Sequence, residues 1–287
     1  MTESNAHRLT VVGAGVMGVS ITTTALLHGV PVRVVETDPR RLARLHADVD
    51  RQLRLARLLG AAPAERAPGE LSASESLDGA GDTTVLVEAV TEHAGTKAKA
   101  LAEACAVLAS GTPIISNTSS IPVDELAGAV DDPARLIGVH FMNPPYLIRA
   151  VEVIRGPRTG EATLAAVRDL LAVLDRQVIV VRDAPGFVTS RLLHPMINDA
   201  ARIVAEGVAT AEQVDALMEG CLGHRTGPLR TADLIGLDNL ADSLWVLHQR
   251  TGEERFRPCE NLLEKVRKGD HGRKTGRGFY DYGEAQP

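Results

Sequence analysis

Cysteine is scarce. The chain holds three in 287 residues, Cys105, Cys221 and Cys259, odd in number and far apart. That pattern excludes a disulfide framework and a paired-cysteine zinc site, so no metal is expected, and a reducing cytoplasm is the expected setting. Long apolar runs are also missing: none approaches the roughly 20 residues of a membrane span, and no membrane partner is expected. Positive charge is in deficit, with 31 Lys and Arg against 37 Asp and Glu and a formal charge of −6. A general nucleic-acid binder shows the opposite balance. Disorder is excluded as well, because 44% of the residues are apolar and only 24% are charged. The first residues run straight into the strand-like Leu9-Thr10-Val11-Val12, which gives no expectation of a secretory leader.

The length suits about two domains. Short β-branched runs at 9–12, 32–36, 85–88, 113–116, 136–141, 151–154 and 178–181 alternate with Ala/Leu-rich helical patterns. Such alternation reads as βαβ units around a mostly parallel sheet covered on both faces, an α/β fold. Beyond Pro185-Gly186 strand-like runs vanish, and helical patterns follow at 192–204, 211–218, 234–249 and 260–267. The expected domains are therefore 1–184, of the dinucleotide-binding type, and 185–287, all helical. The stretch 60–81, rich in Ala, Pro and Gly, is expected to be a surface connection.

Gly13-Ala14-Gly15-Val16-Met17-Gly18 is a G-x-G-x-x-G segment between a strand and a helix that stops near Gly29. The first Gly permits the tight turn, the second lets backbone approach a pyrophosphate, and the third lets helix and strand pack closely. The helix N-terminus then offers N–H groups and a positive dipole end to phosphates. Glu36 closes the second strand at the spacing of a ribose acceptor, favouring NAD over NADP, with Arg40 and Arg41 nearby. His140 ends an apolar strand, where a parallel sheet usually presents its site, and an imidazole has the near-neutral basicity suited to moving a proton. Glu152 lies on the next strand-like run, and a carboxylate beside an imidazole fixes its tautomer.

Further motifs follow in order: Val87-Glu88-Ala89-Val90 with Glu92 and Lys97, Ser116-Asn117-Thr118-Ser119-Ser120, His140-Phe141-Met142-Asn143-Pro144, and Val151-Glu152-Val153-Ile154. Then come Asp183-Ala184-Pro185-Gly186-Phe187, Asp233-Leu234-Ile235-Gly236-Leu237-Asp238 and Gly272-Arg273-Lys274-Thr275-Gly276. With these, the chain resembles the 3-hydroxyacyl-CoA dehydrogenase family over almost its whole length. The resemblance implies a Rossmann-type domain followed by a helical domain that forms a homodimer, with NAD as cofactor. It implies His140 and Glu152 as the catalytic pair and Ser119 at the substrate hydroxyl. Ser119 or Ser120 would otherwise cap the helix near 122–129. Cofactor contacts are implied at Asn143, Glu92, Lys97, Ser119 and Lys274, beside the loop residues Gly13, Ala14, Gly15, Val16, Met17 and Gly18.

Three departures from that family's pattern bear on the substrate. Ser190 stands at the fourth catalytic position, where the family has Asn, and offers one donor in place of an amide. Tyr146 and Arg149 alter the segment after Asn143; Arg149 suits either an anion contact or a solvated surface. The helix after Pro39 carries Arg40, Arg41, Arg44, Arg51, Arg54 and Arg57, a basic face fitted to CoA phosphates or to an acidic acyl carrier protein. The expected substrate is a short 3-hydroxyacyl thioester, with a carrier-bound glyceryl unit of polyketide extender biosynthesis placed ahead of 3-hydroxybutyryl-CoA. A sugar-acid dehydrogenase of the gulonate type and a weakly catalytic, crystallin-like NADH binder are the alternatives. The helical domain, with its apolar stripe Leu234, Leu237, Leu240, Leu244 and Leu247, is expected to pack partly on a second subunit, and the stripe itself reads as either core or interface.

Overall fold

The structure, a computed structural model, describes residues 7–61, 63 and 66–283, and the chain divides into two compact units, Met1–Ala184 and Pro185–Pro287. In the first unit, β1 (Leu9–Val12), β2 (Val32–Val35), β3 (Leu71–Ser74), β4 (Val85–Glu88), β5 (Ile114–Ser116), β6 (Leu136–His140), β7 (Ala150–Arg155) and β8 (Gln177–Arg182) form one sheet in the order β3-β2-β1-β4-β5-β6-β7-β8. Strands β1 to β6 are parallel, and the order reverses between β1 and β4, the crevice where such sheets bind ligands. Its first helix, α1 (Val16–Leu27), has residues 18–27 all buried, as a helix that is apolar or small on every side should be. Helix α2 (Pro39–Leu58) buries only Leu45, Val49 and Ala56, and leaves its arginines in solvent. Asp38 starts it, accepting from Arg40 N at 2.8 Å, with Pro39 in the first turn.

One feature of the sheet departs from expectation, and a second is the antiparallel exception within the mostly parallel sheet expected. Within the stretch 60–81, of which 62, 64 and 65 lie outside the described residues, the chain forms β3 and pairs Val32 with Leu71. Leu-Ser-Ala-Ser buries little side chain at a sheet edge, so its strand comes from backbone pairing that hydropathy does not register. Strand β7 runs antiparallel to β6, pairing Gly138 with Ile154 and His140 with Glu152. The link 141–149 is shorter than the dozen or so residues of a parallel crossover, so the strand returns beside its predecessor. Helix α3 (Ala94–Cys105), α4 (Val123–Leu126) and α5 (Glu161–Val173) complete the unit.

The second unit comprises α6 (Thr189–Ala205), α7 (Ala211–Leu222), α8 (Pro228–Ile235), α9 (Leu237–Thr251) and α10 (Glu260–Arg267). Leu237, Leu240, Leu244 and Leu247 are fully buried together with Ile197, Leu229, Phe256 and Leu262. The stripe, which the sequence leaves open between core and interface, is thus this unit's own core, and only Leu234 of the five is exposed, at 44%. The helix expected over 234–249 is two helices, because Gly236 turns the chain at φ 95° between them. Buried Asp233 ties down the terminal segment, accepting from Phe279 N at 2.9 Å, Tyr280 N at 3.0 Å and the Tyr282 hydroxyl at 3.1 Å. No helix among the described residues is long and apolar enough to cross a membrane.

Candidate active site

At the carboxyl edge of the parallel sheet, the first loop meets the steric demands of a dinucleotide cradle. Gly13 adopts φ 104°, and a Cβ there would stand 2.8 Å from Ala89 O. A Cβ on Gly18 would stand 1.8 Å from Gly13 O, so only glycine allows α1 to sit this close. At Gly15 a Cβ would meet nothing within 4 Å, and no side chain caps α1. The amides of that N-terminus therefore face open space beside the loop, which is what a pyrophosphate requires. Glu36, just after β2, accepts from Ala14 N and from Asp38 N, both at 2.8 Å. Each carboxylate oxygen retains accepting capacity for ribose hydroxyls, and Arg41 stands 4.0 Å away. Gly13, Ala14, Gly15, Val16, Met17, Gly18 and Glu36 are thus gathered in one place, and they fit NAD.

Three strands along, His140 closes β6 opposite Glu152 on β7, and the imidazole Nδ1 lies 2.9 Å from Glu152 Oε2. A cross-strand pair puts two side chains on the same face as neighbours, which is why residues twelve apart in sequence meet. The carboxylate accepts, so Nδ1 carries the proton and Nε2 the basic lone pair. Glu152 is 6% exposed and His140 12%, so water does little to screen the two groups from one another.

Ser119 lies on the loop after β5, half-buried, its amide donating to Glu92 Oε1 at 2.8 Å and its hydroxyl lying 3.2 Å from the same oxygen. Neither Ser119 nor Ser120 caps α4. That role falls to Asp183, at the end of β8, which accepts from Val123 N at 3.0 Å and Asp124 N at 2.8 Å. Burial raises the Glu92 carboxyl, but the Lys97 ammonium and hydrogen bonds from Thr118, Ser119 and Ser120 outweigh it, so the net shift is below the usual glutamate range. The Lys97 side chain is 0% exposed and sits 2.9 Å from Glu88 Oε1 and 3.3 Å from Glu92 Oε2, held between two carboxylates. Glu88 entered the sequence reading only as part of a motif, with no role of its own. A charged residue ending an apolar strand, with a lysine nine positions on, was the available signal.

Asn143 is exposed on the loop after His140. Arg149 forms an exposed ion pair with Asp175, the solvated outcome of the two, and Tyr146 is buried against Leu27 and Ala56. Ser190 and Lys274 belong to the second unit. There Ser190 is buried in the first turn of α6, and Lys274 Nζ is held 2.6 Å from Asp238 Oδ2.

Against this geometry stand the likenesses. Residues 8–184 match the 3-hydroxyacyl-CoA dehydrogenase NAD-binding domain, and residues 186–282 match the C-terminal domain of the same family. The chain is 40% identical over 281 residues to 3-hydroxybutyryl-CoA dehydrogenase of Bradyrhizobium diazoefficiens, covering 96% of each. It is 31% identical to the mitochondrial hydroxyacyl-coenzyme A dehydrogenase of Sus scrofa, over 96% of this chain and 90% of that one. Among solved structures, (S)-3-hydroxybutyryl-CoA dehydrogenase from Ralstonia eutropha superposes with a TM-score of 0.85 at 34% identity, covering 98% of this chain and all of that one.

Proposed function

The chain belongs to the 3-hydroxyacyl-CoA dehydrogenase family, and from that premise we propose that it interconverts a short 3-hydroxyacyl-CoA and its 3-keto form with NAD, 3-hydroxybutyryl-CoA being the representative substrate. The observation that carries the reading is the His140–Glu152 pair at 2.9 Å. With Nδ1–H directed to Glu152, Nε2 takes the proton from the substrate hydroxyl, and Glu152 stabilises the resulting imidazolium. Ser119 donates to the reacting oxygen and steadies charge developing there. NAD, when bound, accepts the hydride. In the reverse direction the same imidazolium returns the proton.

The relatives are named for CoA esters, which shifts the weight from the carrier-bound glyceryl unit to a CoA substrate. The arginines of α2, all in solvent, suit the phosphates of CoA. Exposed Leu192, Leu217 and Leu222, on helices of the second unit, support a homodimer through that unit. The free cysteines go with a cytoplasmic setting.

The decisive assay supplies NADH with acetoacetyl-CoA, with keto acids and with carrier-bound thioesters of the same acyl groups, and follows NADH loss. Fast turnover of acetoacetyl-CoA supports the reading. Turnover confined to carrier-bound thioesters returns the carrier reading, and turnover of free keto acids alone returns the sugar-acid one. Tight NADH binding with no turnover of any of them leaves a binding protein.

A further inference from the structure

Glu88 has no exposed surface, and the chemistry above does not use it. It ends β4, with Oε1 accepting from Lys97 Nζ at 2.9 Å and Val90 N at 2.8 Å. Oε2 accepts from Lys97 Nζ at 3.1 Å and from the Ser116 hydroxyl at 2.6 Å. Every acceptor site is directed, so the carboxylate is pinned. The same Lys97 ammonium donates to Asn117 O at 3.2 Å and pairs with Glu92 Oε2 at 3.3 Å.

Beyond Lys97, one oxygen gathers the whole serine loop. Glu92 Oε1 receives the Thr118 hydroxyl at 2.6 Å, Ser119 N at 2.8 Å and Ser120 N at 3.0 Å, with both serine hydroxyls at 3.2 Å. A carboxylate oxygen has about two lone-pair directions, so the short bonds satisfy it and the serine hydroxyls are surplus donors. Ser119 can therefore turn its O–H to another oxygen without leaving Glu92 unsatisfied, provided Glu92 stays where it is. What keeps it there is Lys97, and what keeps Lys97 there is Glu88.

We propose that Glu88 is a positioning residue for the hydroxyl-binding loop: through Lys97 and Glu92 it sets the place of Ser119 against the reacting oxygen. The proposal rests on the reading of Ser119 given above. Removing the Glu88 charge leaves a buried ammonium with one carboxylate in place of two, and it relaxes toward Glu92 and Asn117. The loop moves with it.

Glu88→Gln keeps the side-chain shape and an acceptor for Val90 N. It is expected to lower kcat for acetoacetyl-CoA and NADH about ten- to a hundredfold, the scale of a small misplacement of a reacting group, with KM for both held within about threefold. In a Ser119→Ala background the same change is expected to have almost no further effect on kcat, because both act through one hydroxyl. An undiminished effect in that background, or an unchanged kcat in the single variant, overturns the proposal. Amide exchange without substrate supplies an independent readout: segment 117–121 exchanges faster in Glu88→Gln while β1 and β6 keep wild-type protection. Unchanged exchange at 117–121 also overturns it. If Glu88→Gln does not fold, Ser116→Ala removes a single bond to Glu88 and is expected to give the same non-additive pattern at about threefold amplitude. A wild type inert toward every hydroxyacyl thioester and its ketone defeats the proposed function, and the exchange at 117–121 still decides the role of Glu88.

Discussion

An imidazole beside a buried carboxylate is the residue-scale unit on which the proposed turnover rests. His140→Gln keeps a polar side chain and removes the base, so kcat is expected to fall about a hundredfold to ten-thousandfold. NADH affinity, measured by fluorescence titration, is expected to stay within about threefold, because the glycine loop and Glu36 are untouched. Ser190→Asn restores the family's amide and is expected to raise kcat/KM for acetoacetyl-CoA; no change removes Ser190 from specificity. Glu92 sets an acid limit on stability. Its folded-state pKa lies below the ordinary value of 4.5 once Lys97 and the loop hydrogen bonds have overcome burial. Between the two values the unfolded chain binds more protons, so stability is full above about 4.5 and is lost as pH falls through the folded value. Glu92→Gln is expected to flatten that acid limb in urea titrations at stepped pH, which a wild-type-like slope would contradict.

At the scale of elements, length and composition made the parallel strands legible, since β-branched runs such as those at 9–12 and 85–88 can only lie inside a covered sheet. Strand β3 was not legible, because Leu-Ser-Ala-Ser at an edge buries too little to leave a pattern. The cap of α4 was not legible either. Its donors at Val123 and Asp124 are met by Asp183, about sixty residues on, where a local serine was the natural choice. Asp183→Ala is expected to lower unfolding stability by about 1 kcal/mol, the usual worth of a cap, read as a shift of the urea midpoint with the slope unchanged. A variant as stable as the wild type would show that the two amides find another acceptor. The apolar stripe of α9 teaches a related lesson. Spacing shows that Leu237, Leu240, Leu244 and Leu247 share a face, whereas only packing shows that the face is covered from within.

For the whole molecule, that covering moves the search for a subunit contact to other surface. Leu192 at 67%, Leu217 at 59% and Leu222 at 66% exposure are the most exposed of the large apolar side chains on α6 and α7. Leu217→Glu is expected to convert a dimer to a monomer in sedimentation velocity without loss of helix content, as a charge buried in an apolar contact is strongly unfavourable. A wild type that is monomeric at micromolar concentration ends the homodimer reading, and a variant that stays dimeric places the contact elsewhere. By itself the order of residues determined the glycine loop and the change from strand to helix near Pro185, because glycine sterics and side-chain periodicity are local properties. His140 is marked as a candidate base chiefly through the family resemblance. Only tertiary structure decided that Glu152 faces His140 and that Lys97 stands between Glu88 and Glu92. Those outcomes follow from strand pairing and from the cost of burying a charge, and each depends on which distant residues the fold brings within reach.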